Sequence, residues 1–128
     1  MTAHQQVLGG EVPQAIHADL DFDDHLDFCF AITANFYLID AGPENGVTEW
    51  WVGTHHFGVK GIREETGRVQ PYIRQNVLEE RRKICPPVRP FIPKGSVVLR
   101  DLRIWHGGYP NPTGIPRIML GWVRYFTT

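Results

Sequence analysis

Apolar and polar residues alternate at a period of two along several short stretches of the chain and only once at a helical period. Phe28 to Asp40, FCFAITANFYLID, is the longest of these. Phe28, Phe30, Ile32, Ala34, Phe36 and Leu38 form one parity, nearly all apolar. Cys29, Ala31, Thr33, Asn35 and Tyr37 form the other. Successive strand residues face opposite sides, so the pattern predicts a strand with an oily face and a more polar one. Gln14 to Asp19 (QAIHAD), Val47 to Val52 (VTEWWV), Ser96 to Trp105 and Arg117 to Phe126 are further predicted strands. Arg100 to Leu120 reads apolar, turn, apolar, which predicts two strands joined as a hairpin, with His106 and Arg117 on neighbouring strands.

Between these segments the chain reads as connections. Met1 to Gly10 is a poorly ordered lead-in, Leu20 to Asp27 an acidic loop and Ala41 to Gly46 a turn. Gly53 to Gln70 is glycine-rich and holds no period. Tyr72 to Ile84, after Pro71, has helical composition with Ile73, Val77 and Ile84 on one face. The following CPPVRPFIPKG is too rich in proline for a helix or a central strand. Short strands, one helix and many Gly/Pro turns predict a mostly β sandwich or barrel rather than a βαβ fold.

A chain of 128 residues has room for one domain with a core, here a lead-in over 1–13 and a body over 14–128. The formal net charge of −1 gives no reason to expect nucleic acid or an anionic membrane as partner. The basic run Arg81-Arg82-Lys83 follows Glu79-Glu80 and reads as a solvated helix face. Two cysteines, Cys29 and Cys85, make no disulfide framework and point to a reducing compartment. Without a signal-like start or an apolar run near the ~20 residues of a membrane span, the expected location is the cytoplasm.

Charge and composition leave the chemistry to a few residues. On a strand, His17 and Asp19 would share a face about 6–7 Å apart. With a histidine from a remote strand they would make a two-histidine, one-carboxylate facial triad, typical of non-haem Fe(II) oxygenases. His106 is the expected third ligand. The spacing alone is common, and His25-Leu26-Asp27 repeats it in the acidic loop. His17 is preferred because its neighbours look like a strand. Read alone, His106 beside Trp105 also fits a hydrogen-bonded histidine near a core, and Arg117 an ordinary salt-bridge arginine. The mates of Arg117 in parity, Met119, Gly121, Val123 and Tyr125, suggest an inward face, where an arginine needs an anion. His55 reads as part of a structural turn and His56 as uncommitted. Trp50, Trp51 and Trp122 read as packing residues.

Three ordered segments carry a family resemblance: HADLDF, TANFYLIDAGPENGVTEWWVGTHHF and PKGSVVLRDLRIWHGGYPNPTGIPRIML. Together they resemble the phytanoyl-CoA dioxygenase family, most closely its fungal small-molecule-modifying branch. The resemblance implies a double-stranded β-helix (a cupin-like jelly roll) with one short helix in a long insertion. It implies Fe(II) held by His17, Asp19 and His106, and 2-oxoglutarate as cosubstrate, its far carboxylate gripped by Arg117. Asn35, on the polar parity, is expected to line the cosubstrate pocket. The implied reaction is O2-dependent oxidation, usually hydroxylation, of a small organic or secondary metabolite. Asp19 argues against halogenation, since related halogenases lack the carboxylate. Many members have a serine two residues after the distal histidine; here it is Gly108. Members also carry a substantial segment before the His-x-Asp strand, whereas this chain reaches His17 almost at once. The expectation is a barrel with an incomplete N-terminal part and exposed strand edges, open to homodimerisation or a completing partner. The alternative function is a catalytically inactive jelly-roll remnant acting as a metal- or ligand-binding scaffold.

Overall fold

The structure is a computed structural model that describes residues 2–6, 12–19, 28–57, 63–64 and 72–126. Its elements are β1 (Thr2–Gln6), β2 (Ala31–Tyr37), β3 (Thr48–Trp51), β4 (Arg63–Glu64), β5 (Tyr72–Ile73), α1 (Gln75–Ile84), β6 (Val97–Asp101), β7 (Trp105–Gly108) and β8 (Arg117–Tyr125). Two β layers face each other in a jelly-roll arrangement. The larger is antiparallel, in the order β1-β8-β2-β6. The smaller is built on the β3–β7 pair. Extended backbone widens it on both sides: His17 bridges His106 of β7, and Val88 bridges Trp50 of β3. β4 and β5 form a separate two-stranded piece.

The His17 segment lies flat against β7. His17 and His106 exchange backbone hydrogen bonds at 3.0 and 2.8 Å, and the Gln14 N–H donates to the Gly108 carbonyl at 2.8 Å. This approach requires Gly107, because a Cβ there would stand 2.9 Å from the Gln14 carbonyl oxygen.

Several expectations are met and several are corrected. The lead-in is not structureless: Thr2–Gln6 pairs along β8, with Thr2 opposite Gly121. TAHQQ has no apolar alternation, so the sequence carries no signal for this strand. Ser96 to Trp105 is not one strand. Asp101 accepts the Arg103 N–H at 2.9 Å, turning the chain from β6 in one layer to β7 in the other. The predicted hairpin is also absent. β7 pairs with β3 while β8 pairs with β1 and β2, so the loop between them crosses from layer to layer. The helix starts at Gln75, after the strand pair has taken Tyr72–Ile73. Leu78 is its buried residue and Ile84 is exposed, so the predicted apolar face is rotated. Nor is the basic run simply solvated. Arg81 donates to the Val52 carbonyl at 2.7 Å, and Arg82 lies over the Trp51 ring. Lys83 pairs with Glu80 on the surface.

Helix α1 covers the back of the smaller layer, closing a core of Ala18, Trp51, Ile73, Leu78 and Trp105. A second core of Tyr37, Ala41, Val47 and Ile92 fills one end of the sandwich, with Val98 and Met119 packed on it. The larger sheet has its faces the opposite way round from what burial of apolar residues would suggest. Thr33, Asn35 and Tyr37 of β2 are buried with Arg100 and Arg117. The oily parity points outward, leaving Phe36, Leu99 and Trp122 at 39%, 70% and 48% exposure.

Candidate metal centre

The polar inner faces of the two layers meet at the candidate site. In the smaller layer β-alternation sends Trp51 and Trp105 back under α1, so Trp50 and His106 point inward. They are cross-strand partners, and their rings stack at 5.8 Å. The bridge to β7 brings His17 beside them, with ring centroids of the two histidines 4.5 Å apart. Asp19, two residues on, has its N–H fixed on the Leu102 carbonyl at 3.2 Å.

Asp19 Oδ1 then lies 3.4 Å from His106 Nε2 and 3.8 Å from His17 Nε2. One atom from each of His17, Asp19 and His106 falls within 4.8 Å of the others. Adjacent ligand atoms on one octahedral ion, each at about 2.1 Å, stand about 3 Å apart, so small side-chain adjustments close the set on a metal. The tautomers also fit. His17 Nδ1 meets the Ala15 carbonyl at 2.9 Å and His106 Nδ1 the Ile104 carbonyl at 3.1 Å. A ring nitrogen facing a carbonyl must carry the proton, which leaves both Nε2 lone pairs for a metal.

The electrostatics favour the same use. Burial pushes the His106 imidazole below its ordinary pKa, outweighing the Asp19 contact that would raise it. Burial alone would raise the Asp19 carboxyl. The contact with His106, followed by the charge and hydrogen bond of Arg100, overcomes this and holds it well below the usual carboxylate range. Two imidazoles that present Nε2 and one carboxylate make a donor set suited to a divalent first-row metal.

On the facing sheet, Arg117 opens β8 and is 4% exposed. Burial presses its pKa downward, with Tyr37 acting in the opposite sense. Asn35 is buried on the same inner face, paired with Gly121 four residues along β8 from Arg117. Arg117 and Asn35 therefore share the interior but lie about 13 Å apart along the strand. Thr33 Oγ1, also inside, is buried with no hydrogen-bond partner among the described residues. At Gly108 the backbone N–H is taken by Gln14 Oε1 at 2.9 Å. His55 and His56 lie in the short 3₁₀ turn Thr54–His56, their rings 3.8 Å apart, and do not join the three-ligand cluster. His25 and Asp27 lie outside the described residues. Trp50 is not only packing, since it forms a wall of the site; Trp51 is core and Trp122 is exposed.

Sequence reasoning passed over Arg100. It lies on β6 opposite Thr33, donates through Nη2 to Asp19 Oδ2, and stacks over Trp50 at 5.5 Å. The available signal was a lone arginine closing the strand run VVLR, on the parity of Val98 rather than that of the exposed Val97 and Leu99.

The sequence matches the family model described as phytanoyl-CoA dioxygenase (PhyH) over residues 1–119. The chain belongs to the phytanoyl-CoA dioxygenase family. Solved structures share the fold at low identity. EctD from S. alaskensis, crystallised with 2-oxoglutarate and 5-hydroxyectoine, is 21% identical with a TM-score of 0.73, covering 94% of this chain and 41% of its own. EctD with bound Fe matches at 23% identity and TM-score 0.69, over 87% of this chain and 38% of EctD. The non-haem alpha-ketoglutarate-dependent epimerase SnoN from nogalamycin biosynthesis matches at 23% identity and TM-score 0.60, over 88% of this chain and 39% of SnoN. The chain thus spans about two fifths of the length of each of these proteins.

Proposed function

We propose that this single domain is a non-haem Fe(II)/2-oxoglutarate-dependent oxygenase that hydroxylates a small organic substrate, and that His17, Asp19 and His106 are its iron ligands. The observation that carries the proposal is the convergence of Nε2, Nε2 and a carboxylate oxygen within 4.8 Å on the inner face of a family fold. The likeness to EctD, crystallised with Fe and with 2-oxoglutarate, supports the choice of metal and cosubstrate.

Bound iron and 2-oxoglutarate would supply the oxidising power: O2 and the keto acid are consumed, succinate and CO2 leave, and one oxygen atom goes to the substrate. The protein's part is geometry. His17, Asp19 and His106 would hold the metal from one side and leave positions for the keto acid and O2. Arg117, charged and buried, is the clamp for the distal carboxylate. Asn35 and the unpartnered Thr33 hydroxyl offer further polar contacts along the pocket. Trp50 and the facing sheet exclude water from the ligands. None of His17, Asp19, His106 and Arg117 is missing, which favours this reading over an inactive remnant.

The test is turnover of 2-oxoglutarate. Purified protein with Fe(II), 2-oxoglutarate, ascorbate and O2 should release succinate even without substrate, and His106→Ala should abolish the release. Folded protein that gives no succinate with a panel of small apolar substrates contradicts the proposal.

Self-association is a second element of the proposal, favoured by the exposed Phe36, Val97, Leu99, Ile118 and Trp122 on one sheet face. A dimer in sedimentation equilibrium supports it, and a monomer throughout removes it. The cytoplasm is the proposed location, because both cysteines are free. Among the described residues no helix is long and apolar enough to cross a membrane.

A further inference from the structure

We propose that Arg100 is a positioning residue of the metal centre, holding one oxygen of Asp19 so that the carboxylate meets the metal through the other oxygen alone. The two oxygens of Asp19 are already divided in this way. Oδ2 takes Arg100 Nη2, while Oδ1 faces His106 Nε2 at 3.4 Å and His17 Nε2 at 3.8 Å. Arg100 is 7% exposed, so its end of the ion pair is shielded from water. Its orientation is also braced. The guanidinium lies over Trp50 at 5.5 Å, and Trp50 stacks on the His106 ring at 5.8 Å. The remaining donors, Nε and Nη1, have no hydrogen-bond partner among the described residues, which leaves Asp19 as the partner that aims the group.

The inference rests on the iron-site reading above and adds a requirement to it. A carboxylate bound through both oxygens takes two of six positions, and two histidines take two more. Only two would remain, enough for a chelating keto acid and none for O2. One-oxygen ligation keeps three open. A guanidinium beside a dication also opposes metal binding by charge alone. Replacing it with a neutral group should therefore leave metal and keto-acid binding intact and take away the position left for O2. A merely structural role would weaken both in proportion.

The experiment uses Co(II) as a spectroscopic metal and 2-oxoglutarate as the added ligand, with anaerobic titrations of wild type, Arg100→Gln and Arg100→Lys. The expected result for Arg100→Gln is Co(II) and 2-oxoglutarate affinities at least equal to wild type, a changed visible spectrum, and azide, added to the Co(II)–2-oxoglutarate complex as a stand-in for O2, bound about tenfold or more weakly. Arg100→Lys, which keeps the charge and one donor, should restore the wild-type spectrum. Equal losses of Co(II) and 2-oxoglutarate affinity in Arg100→Gln, or an unchanged spectrum, overturn the proposal. If Arg100→Gln does not fold, the crystal structure of Co(II)-loaded wild type decides. Asp19 bound through Oδ1 with Oδ2 on Arg100 supports the proposal, and Asp19 bound through both oxygens overturns it. Wild type that fails to bind Co(II) at all refutes the iron-site reading itself, a result distinct from any of these.

Discussion

Thr54 ties the two strands of the smaller layer together, and Thr54→Val isolates that tie. Its hydroxyl donates to the Trp51 carbonyl at 2.7 Å and accepts the Trp105 N–H at 2.9 Å. The residue is 0% exposed, as is Trp51, and Trp105 is 2% exposed, so no water replaces the lost bonds. Valine fills the same volume and leaves no cavity. It strands a buried N–H and removes one bond from a buried carbonyl. At about 1–3 kcal/mol for an unsatisfied buried group, the N–H dominates, and the total should be about 2–4 kcal/mol. That is a large fraction of the ~5–15 kcal/mol stability of a typical domain. Thr54→Ser keeps the hydroxyl and loses one methyl, about 1 kcal/mol. Urea denaturation followed by tryptophan fluorescence measures both, with an unchanged denaturant slope expected. Because Trp105 precedes His106, the valine variant should also bind Fe(II) more weakly. A valine variant within about 0.5 kcal/mol of wild type, or less damaged than the serine variant, would refute the reasoning.

Arg117→Ala should weaken 2-oxoglutarate binding roughly ten- to hundredfold while leaving Fe(II) affinity near wild type, read by titration under argon. Gly46→Ala should cost about 1–3 kcal/mol in thermal or urea unfolding, because Gly46 has φ 83° and a Cβ would stand 2.6 Å from the Tyr109 carbonyl oxygen. Asp101 carries a pH dependence. Burial alone would raise its carboxyl, but the hydrogen bonds and charge of Arg103 bring it down to about 2. An unfolded aspartate titrates near about 3.9, so the stabilisation is complete above that value and is lost as pH falls through about 2. Comparing wild type with Asp101→Asn by urea unfolding, the gap should be about 1 kcal/mol near neutrality after allowance for solvent screening, and should close by pH 2. A gap independent of pH would contradict the assignment.

The site was more legible than the strand pairing around it. His17-x-Asp19 needs only an extended backbone to put both side chains on one face, and a single bridge to His106 supplies that. The family segments then selected His106 and Arg117 from other histidines and arginines. The apolar alternation of β2 did not by itself say which face is buried, since alternation gives the period of a strand but not the direction of its core. Thr33, Asn35 and Tyr37 are inside because the interior serves polar groups, while Phe36 faces out. The crossing between β7 and β8 could not be read from the loop, since the same Gly/Pro-rich turn residues serve a hairpin or a change of layer. β1 went unseen because TAHQQ carries no hydrophobic pattern, although its backbone pairs along β8. Arg100 was hidden for a related reason: at its position parity alone does not distinguish a solvated arginine from one aimed at Asp19, and only the fold brings the pair together across 81 residues.

The central claim is that His17, Asp19 and His106 hold Fe(II) with positions left open for 2-oxoglutarate. Its most direct measurement is the visible absorption of the purified protein under argon, with Fe(II) and 2-oxoglutarate added in turn. The account predicts a metal-to-ligand charge-transfer band that appears only when both are present and is absent in His17→Ala and His106→Ala. Folded wild-type protein without such a band, or a band that survives in His106→Ala, would contradict it.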